Sequence, residues 1–315
     1  MKARSLALTS LALSCLAALL YTGAVQAQID LTGNWMVEST QDMRKDLNGP
    51  FPDNFVGIPV NQQGRDAGAA YSGDERQELY RECEPWSAHY IVTGPWGGRF
   101  TATRDRDGHV LAWNLSSPAY DRLPMTIWMD GQAQPPPQAL HTYAGFTTGE
   151  WQGDTLLTLT THLKDSFIER NGLPASNQET LRLFITRHGD ELMAMGIISD
   201  PVYLEAPWVV AKTFTLNDRG SADEPILHCP PAEVVAGLSD GYHSATELPG
   251  DIPGMKQYMP KHYNIPLDAA MGGAQTMYPD FRKKLATEYK PPTTYCKQYC
   301  CPMGRAGSQA CRTAD

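Results

Sequence analysis

This chain of 315 residues has no basic run: its 26 Lys and Arg are scattered among 35 Asp and Glu, and the formal net charge is −9. Nucleic acids and anionic membrane surfaces are bound by clustered cations, so neither is expected as a partner. The glycine signatures are missing too. Without a P-loop or G-x-G-x-x-G there is no backbone cradle for a nucleotide phosphate, and without G-x-S-x-G there is no nucleophile elbow. The 8 histidines form no H-x-H or H-E-x-x-H pair, so no local metal site and no cofactor is expected. There is no internal repeat. Past residue 27 no apolar run reaches the roughly 20 residues that a membrane helix needs.

What is present begins with a leader-like segment. MKARS carries Lys2 and Arg4, LALTSLALSCLAALL is apolar, and Val25-Gln26-Ala27 puts small residues before Gln28. That is the composition of a secretory signal peptide, with cleavage expected near Ala27 and a periplasmic or secreted product. Loss of Lys2 and Arg4 takes the net charge from −9 to −11. Six cysteines follow, Cys83, Cys229, Cys296, Cys300, Cys301 and Cys311, and four of them fall in the last 20 residues. In an oxidising compartment an even count reads as disulfides. Two bridges are expected within the tail, and one between Cys83 and Cys229. The tail spacing C-x3-C-C-x9-C lacks the C-x2-C knuckles of a zinc site.

From 90 to 215, short runs rich in Thr, Leu, Ile and aromatics alternate with turn signals, the pattern of antiparallel β structure. RFTATRDRDGHVLAWNL turns at Asp107-Gly108, which pairs Ala102 with Trp113 and Phe100 with Leu115. That places Phe100, Ala102, Leu111, Trp113 and Leu115 on one core face. AGFTTGEWQGDTLLTLTTHL turns at Gln152-Gly153 or Gly153-Asp154. Either turn puts Ala144, Phe146, Leu157, Leu159 and Leu163 on one face and His141, Tyr143, Thr147, Thr158, Thr160 and His162 on the other, with the Thr-rich face expected toward solvent. ETLRLFITRHGDELMAMGIIS turns around His188-Gly189-Asp190. The fold class is therefore mainly β, an antiparallel up-and-down barrel. Residues 28–218 form the barrel domain. Residues 219–315 form a long, irregular, Cys-rich extension, in which only DFRKKLATEY reads as a helix.

Two resemblances bear on this. Gly33-Asn34-Trp35 on the first strand resembles the lipocalin G-x-W, which implies a Trp closing the barrel floor beneath a basic side chain from a late strand. The second spans residues 142–212. W-x-G-D-T-L (Trp151 to Leu156), T-T-H (Thr160 to His162), R-N-G-x-P-x-S (Arg170 to Ser176) and D-P-x-Y-L-x-x-P (Asp200 to Pro207) resemble a group of exported bacterial proteins with lipocalin-like barrels. That resemblance implies fold and compartment and no reaction.

The functional expectation is a lipocalin-like barrel that binds a small apolar or aromatic molecule, as small barrels of about 8 strands do. His141, Trp113, Tyr203, Trp208, Met193 and Met195 are its candidate lining. One alternative is a cofactor-free lyase, isomerase or cyclase. His162 would be the base and Tyr143 the acid, and Arg170 would hold an anionic group. The turn reading of Asn171-Gly172 and Asp200 is simpler than a binding role. Another alternative is an interaction domain that docks through its C-terminal extension. A filled barrel would favour that one, and a cavity with converging His162, Tyr143 and Arg170 would favour the enzyme.

Overall fold

The Trp35 run pairs on both sides, and that pairing closes the sheet. In the computed structural model, described over residues 29–38, 54–70, 85–94, 97–116, 124–129, 131–169, 171–217, 260 and 264–290, strand β1 (Gly33–Val37) lies between the last strand and the next. Trp35 faces Leu216 on β11 (Trp208–Leu216) and Gly98 on β2 (Gly98–Arg104). The others are β3 (Val110–Ser116), β4 (Met125–Trp128), β5 (Phe146–Gln152), β6 (Thr155–Thr161), β9 (Thr180–His188) and β10 (Glu191–Ser199). The closed order is β1-β11-β10-β9-β6-β5-β4-β3-β2, nine strands, and a small pair β7 (Ser166–Phe167) and β8 (Pro174–Ala175) stands apart. Closure removes the free edges that an open sheet leaves. These strands belong to a compact unit spanning residues 31–315.

The barrel is not purely up-and-down. β4 and β5 run parallel, Ile127 beside Thr147, so the chain returns along residues 129–145 before entering β5. Gln134 pins this return segment by donating to Thr148 Oγ1 (2.9 Å) and to the Leu159 carbonyl (3.1 Å).

The turn chemistry set the registers well. Phe100 pairs with Leu115 and Ala102 with Trp113, but a bulge at Thr103/Arg104 lengthens the turn beyond Asp107-Gly108, leaving Leu111 exposed and Val110 buried. Gln152 pairs with Thr155, which puts the second turn at Gly153-Asp154. His188 pairs with Glu191, so Gly189-Asp190 makes the third.

The assignment of faces in β6 needs correction. Thr147, Thr158 and Thr160 are buried, while Leu157 and Leu159 are half-buried. The inward threonines are satisfied in place: Thr147 and Thr160 hydroxyls share a 2.8 Å bond, and Thr158 Oγ1 accepts from Leu183 N at 3.2 Å. A buried hydroxyl is tolerated when it has such a partner. Outside, the return segment lies against β5 and β6, so both faces of β6 have neighbours and simple alternation no longer tells inside from outside.

The C-terminal region is corrected as well. Its described part is ordered into α3 (Leu267–Ala270), a 3₁₀ turn (Ala274–Met277) and α4 (Pro279–Glu288). It docks on the loop after residue 54, which leads into α1 (Gln62–Ala70). Phe55 N donates to Ala270 O (2.9 Å), Gly273 N to Ile58 O (2.9 Å) and Gly57 N to Thr276 Oγ1 (3.1 Å). The expected disulfide framework is also corrected. Among the described residues there is no disulfide bond, and the strand ladder holds the barrel closed. Cys83, Cys229, Cys296, Cys300, Cys301 and Cys311 lie outside the described residues, as does the leader-like segment 1–27. Among the described residues no helix is long and apolar enough to cross a membrane.

Candidate functional site

The barrel interior is closely packed and mostly apolar, with Thr147, Thr158, Thr160 and, opposite Ala194 on β11, Lys212 as its buried polar members. One void in it among the described residues measures about 10 Å³, room for roughly one water, and is lined by Trp35, Gly98, Phe100, Ala194 and Phe214 among others, and by Ile91. Ile91 does not come from a strand. It sits on α2 (Tyr90–Thr93), one turn of helix that follows Trp86 and leads toward β2. Residues 86–92 are all buried. Val92 packs so closely on β10 that a Cβ at Gly196 would lie 2.7 Å from its Cγ2. The inward positions Gly98, Ala194 and Gly196 contribute little bulk, and this inserted segment takes up the room they leave. We call residues 86–93 the plug.

At the floor the resemblance to G-x-W holds geometrically. Trp35 is only 2% exposed, its Nε1 donates to Leu31 O at 2.9 Å, and the Arg187 guanidinium of β9 stands 5.1 Å from its ring centre.

At the opposite end a buried polar network holds the plug. His89 Nδ1 lies 2.7 Å from Glu179 Oε1, and its Nε2 donates to the Phe167 carbonyl at 3.0 Å. Both side chains are essentially inaccessible. Burial pushes the imidazole toward its neutral form, but the Glu179 charge and hydrogen bond, the Phe167 carbonyl and Asp200 together outweigh it and hold the His89 pKa above 6.5. Glu179 Oε2 is buried with no hydrogen-bond partner. Beside it, Asp200 accepts from Ser176 N (2.6 Å), Ser176 Oγ (2.9 Å), Val202 N (2.8 Å) and Tyr203 N (3.2 Å). Asn171 makes its turn through Leu173 N (3.0 Å) and donates to Asn54 O (2.9 Å). Asn171 and Asp200 thus make the turns expected of them, and through the Ser176–Asp200 bonds the two turns meet as one structural lock.

The sequence-level candidates scatter. His162 and His141 do come together on the rim, with ring centres 5.1 Å apart. His162 has φ +58, which ends the strand and lets Leu163 turn inward. Its Nε2 must donate to the Pro136 carbonyl at 3.0 Å. Thr161 Oγ1 donates to Gln134 Oε1 at 2.7 Å and lies 2.7 Å from His162 Nδ1. Both ring nitrogens are thus engaged by neighbouring protein groups, and the ring anchors the return segment. Tyr143 is half-buried and covered by Lys164 Nζ, 5.2 Å from its ring centre, and Arg170 lies outside the described residues. His141 is tied to the Leu163 carbonyl at 2.7 Å.

Of the expected lining, Trp113 and Trp208 are buried on the inner wall, Trp113 edge-on to Phe100 with its Nε1 unpartnered. Tyr203 is half-buried on the turn after β10, and burial, then Asp200 and Asp165, raise its pKa. Met193 and Met195 are corrected to the outer wall. Met193 is 46% exposed, and they pair with Thr213 and Ala211, away from the inward Leu192, Ala194 and Gly196. Asp105, Asp107 and His109 bring ligand atoms within 4.8 Å of one another at an exposed turn, but Asp105 already accepts from the Asp107 and His109 backbones at 2.9 and 2.8 Å, and the trio is a turn device.

The residues that sequence reasoning missed are His89, Glu179 and Ile91. The run PWSAHYIVT is a local hint, because it carries no Asp, Glu, Lys or Arg in nine residues, which suits a segment enclosed by other elements. No known protein family, curated protein or solved structure matches the chain.

Proposed function

We propose that this protein binds one small apolar or aromatic molecule inside its barrel, in place of the plug side chains. A filled barrel is what the interaction-domain alternative expects, but the filling here is supplied by a short non-strand segment rather than by strand side chains alone: Ile91 and Val92 close an apolar void which the strands leave, and that observation carries the reading. Nine strands enclose more width than the roughly 8 that side chains alone can fill. Withdrawing Ile91 and Val92 costs about 1.5–3 kcal/mol each in lost burial, and a ligand of similar apolar area recovers that on entering. The leader-like composition of residues 1–27 supports action outside the cytoplasm. The enzyme alternative draws no support from the rim, where the two His162 nitrogens are engaged by Thr161 and by the Pro136 carbonyl.

The test is titration with N-phenyl-1-naphthylamine, an uncharged naphthalene probe. We expect saturable binding at one site, and stronger binding by Ile91→Ala, which empties the room in advance. An absence of saturable binding by both proteins would overturn the reading.

A further inference from the structure

We propose that the His89–Glu179 pair is a proton-controlled latch that holds the plug in the barrel and releases it as the pH rises. This rests on the reading of residues 86–93 as a displaceable plug. Two observations carry it. The first is a count of hydrogens. The Phe167 carbonyl can only accept, so His89 Nε2 keeps its hydrogen, and the 2.7 Å contact of Nδ1 with Glu179 Oε1 needs one further hydrogen held between those two atoms. The pair therefore holds together through one shared proton. The second is the lone oxygen. Glu179 Oε2 is buried without a partner, so His89 is the side chain's one hydrogen-bond donor among the described residues.

When the Nδ1 proton is lost to solvent, an imidazole lone pair faces a carboxylate oxygen, and Glu179 is left as a buried charge with no donor at either oxygen. A buried charge without a partner is among the costliest arrangements in a protein. Opening the plug relieves it, because both groups then reach water. The charged groups acting on His89 from the surrounding elements are Glu179, at the head of β9, and Asp200, on the turn after β10. Asp165 and Glu169 stand on the same cap, Asp165 accepting from Asn177 N at 2.9 Å and Glu169 from Asn171 Nδ2 at 3.4 Å. These four are acids, and Lys212, inward on β11 and 5% exposed, is the buried cation of the wall against which the plug packs. Ser87, also on the plug, accepts from the Ser166 hydroxyl at 2.9 Å. That bond does not titrate, and it gives the plug a hold independent of pH.

Amide hydrogen exchange on the full-length wild-type protein, corrected for intrinsic rates, tests the latch directly. The opening constant of residues 86–93 should rise by up to about tenfold per pH unit above the ordinary histidine value, while β9 and β10 stay protected. Glu179→Gln should flatten that slope. Opening of 86–93 in step with β9 and β10 at every pH, or an unchanged slope in Glu179→Gln, would overturn the latch. The wild-type series decides alone should the variant not fold. The naphthylamine probe separates the two proposals. Should 86–93 open with pH while the probe never binds, the latch stands and the ligand reading falls. Equal probe binding at every pH sinks the latch and leaves the ligand reading in place.

Discussion

The Arg187 guanidinium stands 5.1 Å from the centre of the Trp35 indole, which joins the end of β9 to the first strand across the barrel floor. The two residues are 152 positions apart in the chain, so their contact exists only in the closed barrel. A cation over a desolvated indole contributes about 0.5–2 kcal/mol, and truncating a buried Trp costs about 3–5 kcal/mol. Trp35→Ala should therefore lose several-fold more stability than Arg187→Met in urea denaturation. Equal losses would mean that the floor is held by something other than the indole.

The His89 pair predicts the pH dependence of global stability. Its folded pKa is raised above 6.5, so the folded state binds the proton more tightly than the unfolded chain does. The stabilisation is fully present below the unfolded value and is lost as the pH rises through the raised folded value. Urea midpoints should decline over that window, and His89→Gln should remove most of the decline. A wild-type midpoint that climbs with pH there would contradict the assignment.

Asp200 is predicted to be structural. Asp200→Ala strands the Ser176 amide and hydroxyl, two buried donors worth about 1–3 kcal/mol each. The variant should be strongly destabilised, and Asp200→Asn less so, because its amide oxygen still accepts. Calorimetric melting checks the ranking, and an Asp200→Ala protein as stable as wild type would remove the lock.

At His162 the backbone decides. Left-handed geometry costs a non-glycine residue about 1–2 kcal/mol, and the ring offsets this with its bonds to Thr161 and Pro136. His162→Ala loses the bonds and keeps the strain, whereas His162→Gly loses the bonds and the strain together. The glycine variant should be the more stable by about 1 kcal/mol. The opposite order in thermal melts would show that His162 does more than hold the return segment.

Met193 lies outside the barrel, so Met193→Glu should change stability by less than about 0.5 kcal/mol and leave naphthylamine binding as it is. Loss of binding in this variant would place the ligand on the outer wall.

What the sequence determined by itself is local. The Asp107-Gly108 turn set Ala102 opposite Trp113, and the turn at Gly153 put the even residues of β6 on the face of the odd residues of β5, because turn geometry and strand pleat act over a few residues; the choice of Thr160 opposite Thr147 and of His188 opposite Glu191 came with the folded sheet. The aromatic floor was legible for the same reason: Gly33-Asn34-Trp35 sits where the first strand must begin. The tertiary structure decided which face turns inward and what fills the space. Thr158 and Thr160 go inside because partners on the neighbouring strands β9 and β5 engage their hydroxyls, and Leu157 and Leu159 are accommodated outside because the return segment lies against that wall. The parallel β4–β5 pair and the plug follow from closure of the whole sheet. His89 and Glu179, 90 positions apart, carry no pattern in the chain that links them. Burying an acid and a base together is stable only once both have lost water in the same place, and the packing of the folded barrel alone creates that condition.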